Sequence, residues 1–76
     1  MLRRKLRSLR ALSGLTQKQI AEKLGLSETS YTKRENGLID FSVEEVKKMK
    51  EVFGLSDAEI VEIFFANEVA YKTTAE

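Results

Sequence analysis

Ala21–Ser30 reads AEKLGLSETS. Both ends of this stretch suit a helix, yet a glycine, a leucine and a serine stand between them. Within one continuous helix Gly25 would cost roughly 1 kcal/mol relative to alanine. The economical reading is that two helices meet here. Glycine just past a helix end enters the left-handed region without a Cβ clash, and Ser27 is a good N-cap for the helix that follows. A three-residue turn of this kind, with a glycine, joins the two helices of a helix-turn-helix unit.

The same punctuation recurs outward in both directions. The chain has no proline and four glycines, Gly14, Gly25, Gly37 and Gly54, and a Ser or Thr in N-cap position follows each of them. Thr16-Gln-Lys-Gln19, Ser42-Val-Glu-Glu45 and Ser56-Asp-Ala-Glu59 fit the capping box, in which N-cap and third residue satisfy each other's backbone amides. This predicts five helices, over about 2–13, 17–24, 28–36, 43–53 and 57–66. Apolar stripes agree with it: Leu2, Leu6, Leu9 and Leu12; Ile20, Ala21 and Leu24; Val43, Val46, Met49, Val52 and Phe53; Ile60, Val61, Ile63, Phe64 and Phe65. The expected fold is a compact all-α domain over residues 1–69, followed by a polar tail, 70–76. Val69–Thr74 holds β-prone residues that suit either an arm or a frayed end.

Composition narrows the function. At 76 residues the chain is one domain, and 42% hydrophobic residues suffice for one core. It has no cysteine and no histidine, which removes disulfides, thiolate sites and the commonest general base and metal ligand together. No catalytic set stands out, so an enzyme is not expected, nor a cofactor, a metal or a small-molecule ligand. In the basic N-terminus, MLRRKLRSLRALSGL, the longest unbroken apolar run is two residues, unlike a signal peptide. A cytoplasmic protein with no membrane contact is the expectation.

The formal net charge of +1 hides two opposed halves. Residues 1–37 hold nine Lys/Arg against three acids, a net of +6, and residues 38–76 hold four lysines against nine acids, a net of −5. The first half suits a polyanion. Within it, the helix from Ser27 to Gly37 has Tyr31 as its one large apolar residue. Glu28, Thr29, Thr32, Lys33 and Asn36 fall on one polar arc, so its outer face is either solvated or has a partner.

LTQKQIAEKLGLSETSYTKRENG resembles the helix-turn-helix of the phage repressor and Cro family, also called the xenobiotic-response-element family. The later FSVEEVKKMKEVFGLSDAEIVEIFFANEV is similar to the remainder of that domain in small regulators of Gram-positive bacteria and their prophages. The resemblance implies a five-helix domain, similar to lambda repressor, that sets its third helix in the major groove of double-stranded DNA. Carried over by position, it makes Ser27, Glu28, Thr29, Thr32 and Lys33 base-edge candidates, and Gln17, Lys18 and Asn36 phosphate candidates. It also pairs Arg10 with Glu35 as a structural ion pair.

Each of these has a plainer alternative. Glu28 either accepts from a cytosine amino group or only complements the helix dipole. Lys33 either pairs with guanine O6 and N7, or neutralises a phosphate, or is a free solvated lysine. Arg3, Arg4, Lys5 and Arg7 either attract DNA or form a solvated helix face. After Gly37, where many relatives carry phosphate-clamping cations, this chain has Leu38-Ile39-Asp40-Phe41, with none.

The resemblance implies a transcriptional regulator, a repressor of the Cro-like prophage type, bound to a palindromic operator as a homodimer. Val61, Phe64 and Phe65 are the candidate dimer contact, because with adjacent apolar residues about 100° apart one stripe can face the core while part of the other reaches outside it. The alternative is that all are core, since a small domain needs every apolar residue. The competing expectation is a protein-interaction module, such as an antitoxin or adaptor, that works through the acidic half.

Overall fold

The computed structural model describes residues 1–65. Five helices follow one another: α1 (Arg3–Leu12), α2 (Gln17–Leu24), α3 (Glu28–Glu35), α4 (Val43–Phe53) and α5 (Asp57–Ile60). The last runs into one wider π-helical turn, Val61–Phe65. There is no strand among the described residues. The expected tail, 70–76, and the candidate arm, Val69–Thr74, lie outside them.

Local chemistry sets the boundaries. Thr16, Ser42 and Ser56 each close a capping box, with Gln19, Glu45 and Glu59 respectively. Ser27 caps α3 by accepting from the Ser30 amide at 3.1 Å. Four chain reversals share one hydrogen-bond pattern, in which the leucine after each glycine donates its N–H to a carbonyl five residues back: Leu15 to Arg10, Leu26 to Ala21, Leu38 to Lys33 and Leu55 to Lys50. This 6→1 bond needs a left-handed residue ahead of the leucine, and at the central turn Gly25 supplies it at φ +73°.

The core gathers Leu6, Ile20, Ala21, Leu24, Tyr31, Met49, Leu55, Ile63 and Phe64. Ala21 is 1% exposed, and its small side chain lets α2 and α3 approach closely. Phe41 ties the loop after α3 to the rest of the fold, its ring 6.1 Å from Tyr31 and edge-on to Phe64 at 5.5 Å.

Three sequence expectations need correction. Leu12 and Val43, counted into their apolar stripes, are 86% and 70% exposed. Each i+3 step falls back about 60° around a helix, so Leu12 stands about 120° from the buried Leu6, and Val43 about 120° from the buried Met49. The segment expected as a regular helix over 57–66 is α-helical only to Ile60. Beyond it the π turn is tied to the N-terminus, where the Leu2 N–H donates to the Ile63 carbonyl at 2.7 Å and Lys5 pairs with Glu62.

Candidate nucleic-acid interface

The site is built around one buried carboxylate. Glu35, at the C-terminal end of α3, is 1% exposed, and a charge so placed needs full pairing. It has it. Arg10 of α1 donates through Nε to Oε2 at 2.8 Å and through Nη2 to Oε1 at 3.3 Å. Tyr31 donates its hydroxyl to Oε2 at 2.6 Å, and Gln17 of α2 donates Nε2 to Oε1 at 3.0 Å. The Arg7 guanidinium stands 3.6 Å from Oε1. Three helices therefore converge on one side chain.

Burial by itself raises the Glu35 carboxyl. The hydrogen bonds from Arg10, Tyr31 and Gln17, with the charge of Arg10, outweigh it and hold the group below the ordinary carboxylate value. Burial, then the bond to this carboxylate, push the Tyr31 phenol well above its usual range. At neutral pH the cluster is thus a carboxylate held by a guanidinium, a phenol and an amide.

The network reaches the outer face through Gln17. Its Oε1 accepts from the Thr32 hydroxyl at 2.9 Å, so one amide links the buried Glu35 to the exposed side of α3. Glu28, Thr29, Thr32, Lys33, Asn36 and Leu38 together line a shallow groove on that side. Glu28, Thr29 and Lys33 are exposed and Thr32 is half-buried. Ser27, at the mouth of α3, is exposed, but its hydroxyl serves Ser30, donating to that side-chain oxygen at 3.0 Å. Lys18 projects from the first turn of α2, exposed.

Asn36 is held from α1. Its backbone carbonyl accepts from Arg3 Nη1 at 2.6 Å and its side-chain oxygen from Arg7 Nη2. The Arg3 stem also crosses Gly37, where an added Cβ would lie 3.3 Å from Arg3 Cδ. Three of the four residues of the N-terminal basic cluster thus have protein partners. Arg3 and Arg7 brace the C-terminal end of α3, where cations complement the helix dipole, and Lys5 is paired with Glu62.

Reading single positions missed the joint role of Arg3, Arg7 and Arg10. A signal was present, since spacings of four and three put all three on one face of a helix. The bonds of Gln17 to Glu35 and Thr32 had no local signal. Of the candidate dimer residues, Phe64 is a core residue, buried beneath Phe41; adjacency to Phe65 does not by itself say which of two neighbouring rings turns inward. Val61 and Phe65 are 50% and 40% exposed.

Two short helices joined by a glycine turn, the second with a polar groove-lined face and an anchored inner face, define a helix-turn-helix DNA-binding domain. A family model described as Helix-turn-helix matches residues 6–60, more than two thirds of the chain. The chain belongs to this family, the Cro/C1 type of DNA-binding transcription regulators. No curated protein and no solved structure matches it. Among the described residues no helix is long and apolar enough to cross a membrane.

Proposed function

We propose that the chain is a repressor of the Cro-like prophage type that reads a palindromic operator as a homodimer, with α3 of each copy in the major groove. One observation carries this reading: the outer face of α3 gathers donors, acceptors and a cation in one groove while its inner face is locked by the Glu35 network. Base readout needs side chains held in fixed register, and a helix fixed at its buried face provides it.

Within this reading Lys33 and Glu28 have the chemistry to discriminate bases, as donor to guanine and acceptor from cytosine. Thr29 and Thr32 add contacts without specifying a base, and Ser27 keeps the helix start in place. Gln17, Lys18 and Asn36 meet phosphate. Asn36 suits this role because its side-chain oxygen is occupied by Arg7 while its side-chain nitrogen has no partner among the described residues. Val61 and Phe65 supply the contact between copies, with Phe64 left in the core. The reading implies action in the cytoplasm of a bacterium and no catalytic activity.

Selection of binding sites from random duplex DNA at moderate salt tests the proposal, with Lys33→Ala and Gln17→Ala alongside. A palindrome with half-sites about one turn (~34 Å) apart, and loss of one base preference in Lys33→Ala, are expected. Salt-sensitive binding with no enriched site, unaffected by either substitution, would reject it in favour of a protein partner.

A further inference from the structure

Leu38 breaks a rule that the rest of the chain keeps. Four leucines follow four glycines, and all four donate their N–H groups five residues back. In this motif the leucine ordinarily tucks against its own helix or the core. Leu55 is buried, and Leu15 and Leu26 pack partly buried against the core. Leu38 is 75% exposed. Its backbone is nonetheless firmly placed, with its N–H bonded to the Lys33 carbonyl at 2.9 Å and Gly37 bonded to Arg34 just before it.

The leucine is held out into a defined place. It lines the same groove as Glu28, Thr29, Thr32, Lys33 and Asn36, next to Gly37 and the Arg3 stem that covers it. The loop it opens, Leu38-Ile39-Asp40-Phe41, has no cation and one acid, so no side chain in it offers a positive charge to phosphate. What it presents to a nucleic acid is an aliphatic side chain in a groove that it shares with Lys33. In the major groove the apolar group exposed at base edges is the C5-methyl of thymine, and an aliphatic side chain is its natural partner.

We infer that Leu38 is a specificity-determining residue that reads a thymine methyl at the edge of the segment covered by α3. This rests on the reading of α3 as the groove-entering helix, and it adds an apolar reader beyond the helix to the polar readers on it. Covering one methyl group corresponds to about a three- to fivefold gain in affinity.

The test uses the whole chain and the operator obtained by site selection. Each thymine of a half-site is replaced in turn by deoxyuridine, which removes the methyl and leaves the hydrogen-bonding edge intact. Affinities are measured for the wild type and for Leu38→Ala, whose thermal unfolding is followed in parallel to establish that the exposed substitution leaves the fold in place. One deoxyuridine position should weaken the wild type about three- to fivefold, and the same position should leave Leu38→Ala unchanged. Sensitivity to deoxyuridine that survives in Leu38→Ala at every position would overturn the contact. So would a loss of affinity from wild type to Leu38→Ala that is the same size on the thymine site as on the deoxyuridine site, which marks a contact other than the methyl, or a wild type indifferent to every replacement. Failure to enrich any operator strikes the reading of α3 itself, whereas an enriched operator with no deoxyuridine effect tied to Leu38 removes the methyl contact alone.

Discussion

The Tyr31 hydroxyl donates to the Glu35 carboxylate one helical turn further along α3, at 2.6 Å, and both side chains are almost wholly shielded from water. A helix whose outer face is reserved for a ligand has few apolar residues with which to hold itself in place. In α3 the one large apolar side chain also carries a polar handle, and that handle engages the carboxylate that binds α1 and α2. The anchoring of α3 is therefore largely polar, and such networks fail steeply when one member is lost.

Tyr31→Phe keeps the ring and removes one bond to a charged acceptor. A loss of about 1.5–3 kcal/mol in unfolding free energy is expected. Glu35→Ala should cost more, about 3–5 kcal/mol, because it leaves the Arg10 guanidinium without its partner. Urea unfolding of both variants measures this. Equal stability of Tyr31→Phe and the wild type would mean that the phenol contributes nothing beyond its ring.

Acid should weaken the fold through the same group. Glu35 titrates below the ordinary carboxylate value in the folded chain, so its contribution is fully present above its unfolded value, about pH 4.3. It is lost as pH falls through the lower folded value. Urea midpoints recorded from neutral pH downwards should decline through that window in the wild type and decline less in Glu35→Gln. Some slope should remain in the variant, because Glu45, Asp57 and Glu59 are also held below their ordinary values.

At the central turn the strain of a side chain can be separated from crowding. Gly25 sits at φ +73°, and the nearest atom to an added Cβ is Lys48 Nζ at 3.9 Å, an ordinary contact. Gly25→Ala should therefore cost about 1–2 kcal/mol, the penalty of the left-handed conformation alone. A thermal melt gives the value. A much larger loss would point to a rearranged turn.

The helix starts and stops were legible in the sequence because their causes lie within four or five residues. Thr16, Ser42 and Ser56 close their boxes with residues three positions on, and each glycine sits directly after the turn it ends. The π turn was not legible, because its partners, Leu2 and Lys5, are some sixty residues away. The same holds for the inner half of the site: the bonds Gln17 makes to Thr32 and Glu35 exist only once α2 and α3 are folded together. Leu12 and Val43 are a different case, since angle arithmetic along their own helices already removes them from the buried face.

Association through the last turn is open to direct test. Val61 and Phe65 are four residues apart and both substantially exposed. If they form the contact between copies, replacing both with serine should raise the monomer fraction in sedimentation equilibrium while the far-ultraviolet circular dichroism stays unchanged. The same double variant should lose affinity for a two-half-site operator and keep its affinity for a single half-site. A wild type that sediments as a monomer at every concentration and on operator DNA would remove the contact.

Gln17 offers the sharpest division between holding the fold and holding DNA. Its amide oxygen accepts from Thr32, and its nitrogen donates to Glu35. In Gln17→Ala both bonds go, so the Thr32 hydroxyl loses its fixed direction. If Thr32 touches DNA only because Gln17 orients it, the affinity losses of Gln17→Ala and Thr32→Val will not add, and their coupling should reach about 0.5–3 kcal/mol. If each meets DNA on its own, the double variant will lose the sum of the two within about 0.5 kcal/mol. Measuring all four proteins on one operator at one salt concentration decides between them, with urea unfolding run in parallel so that stability lost at Glu35 is not counted as binding.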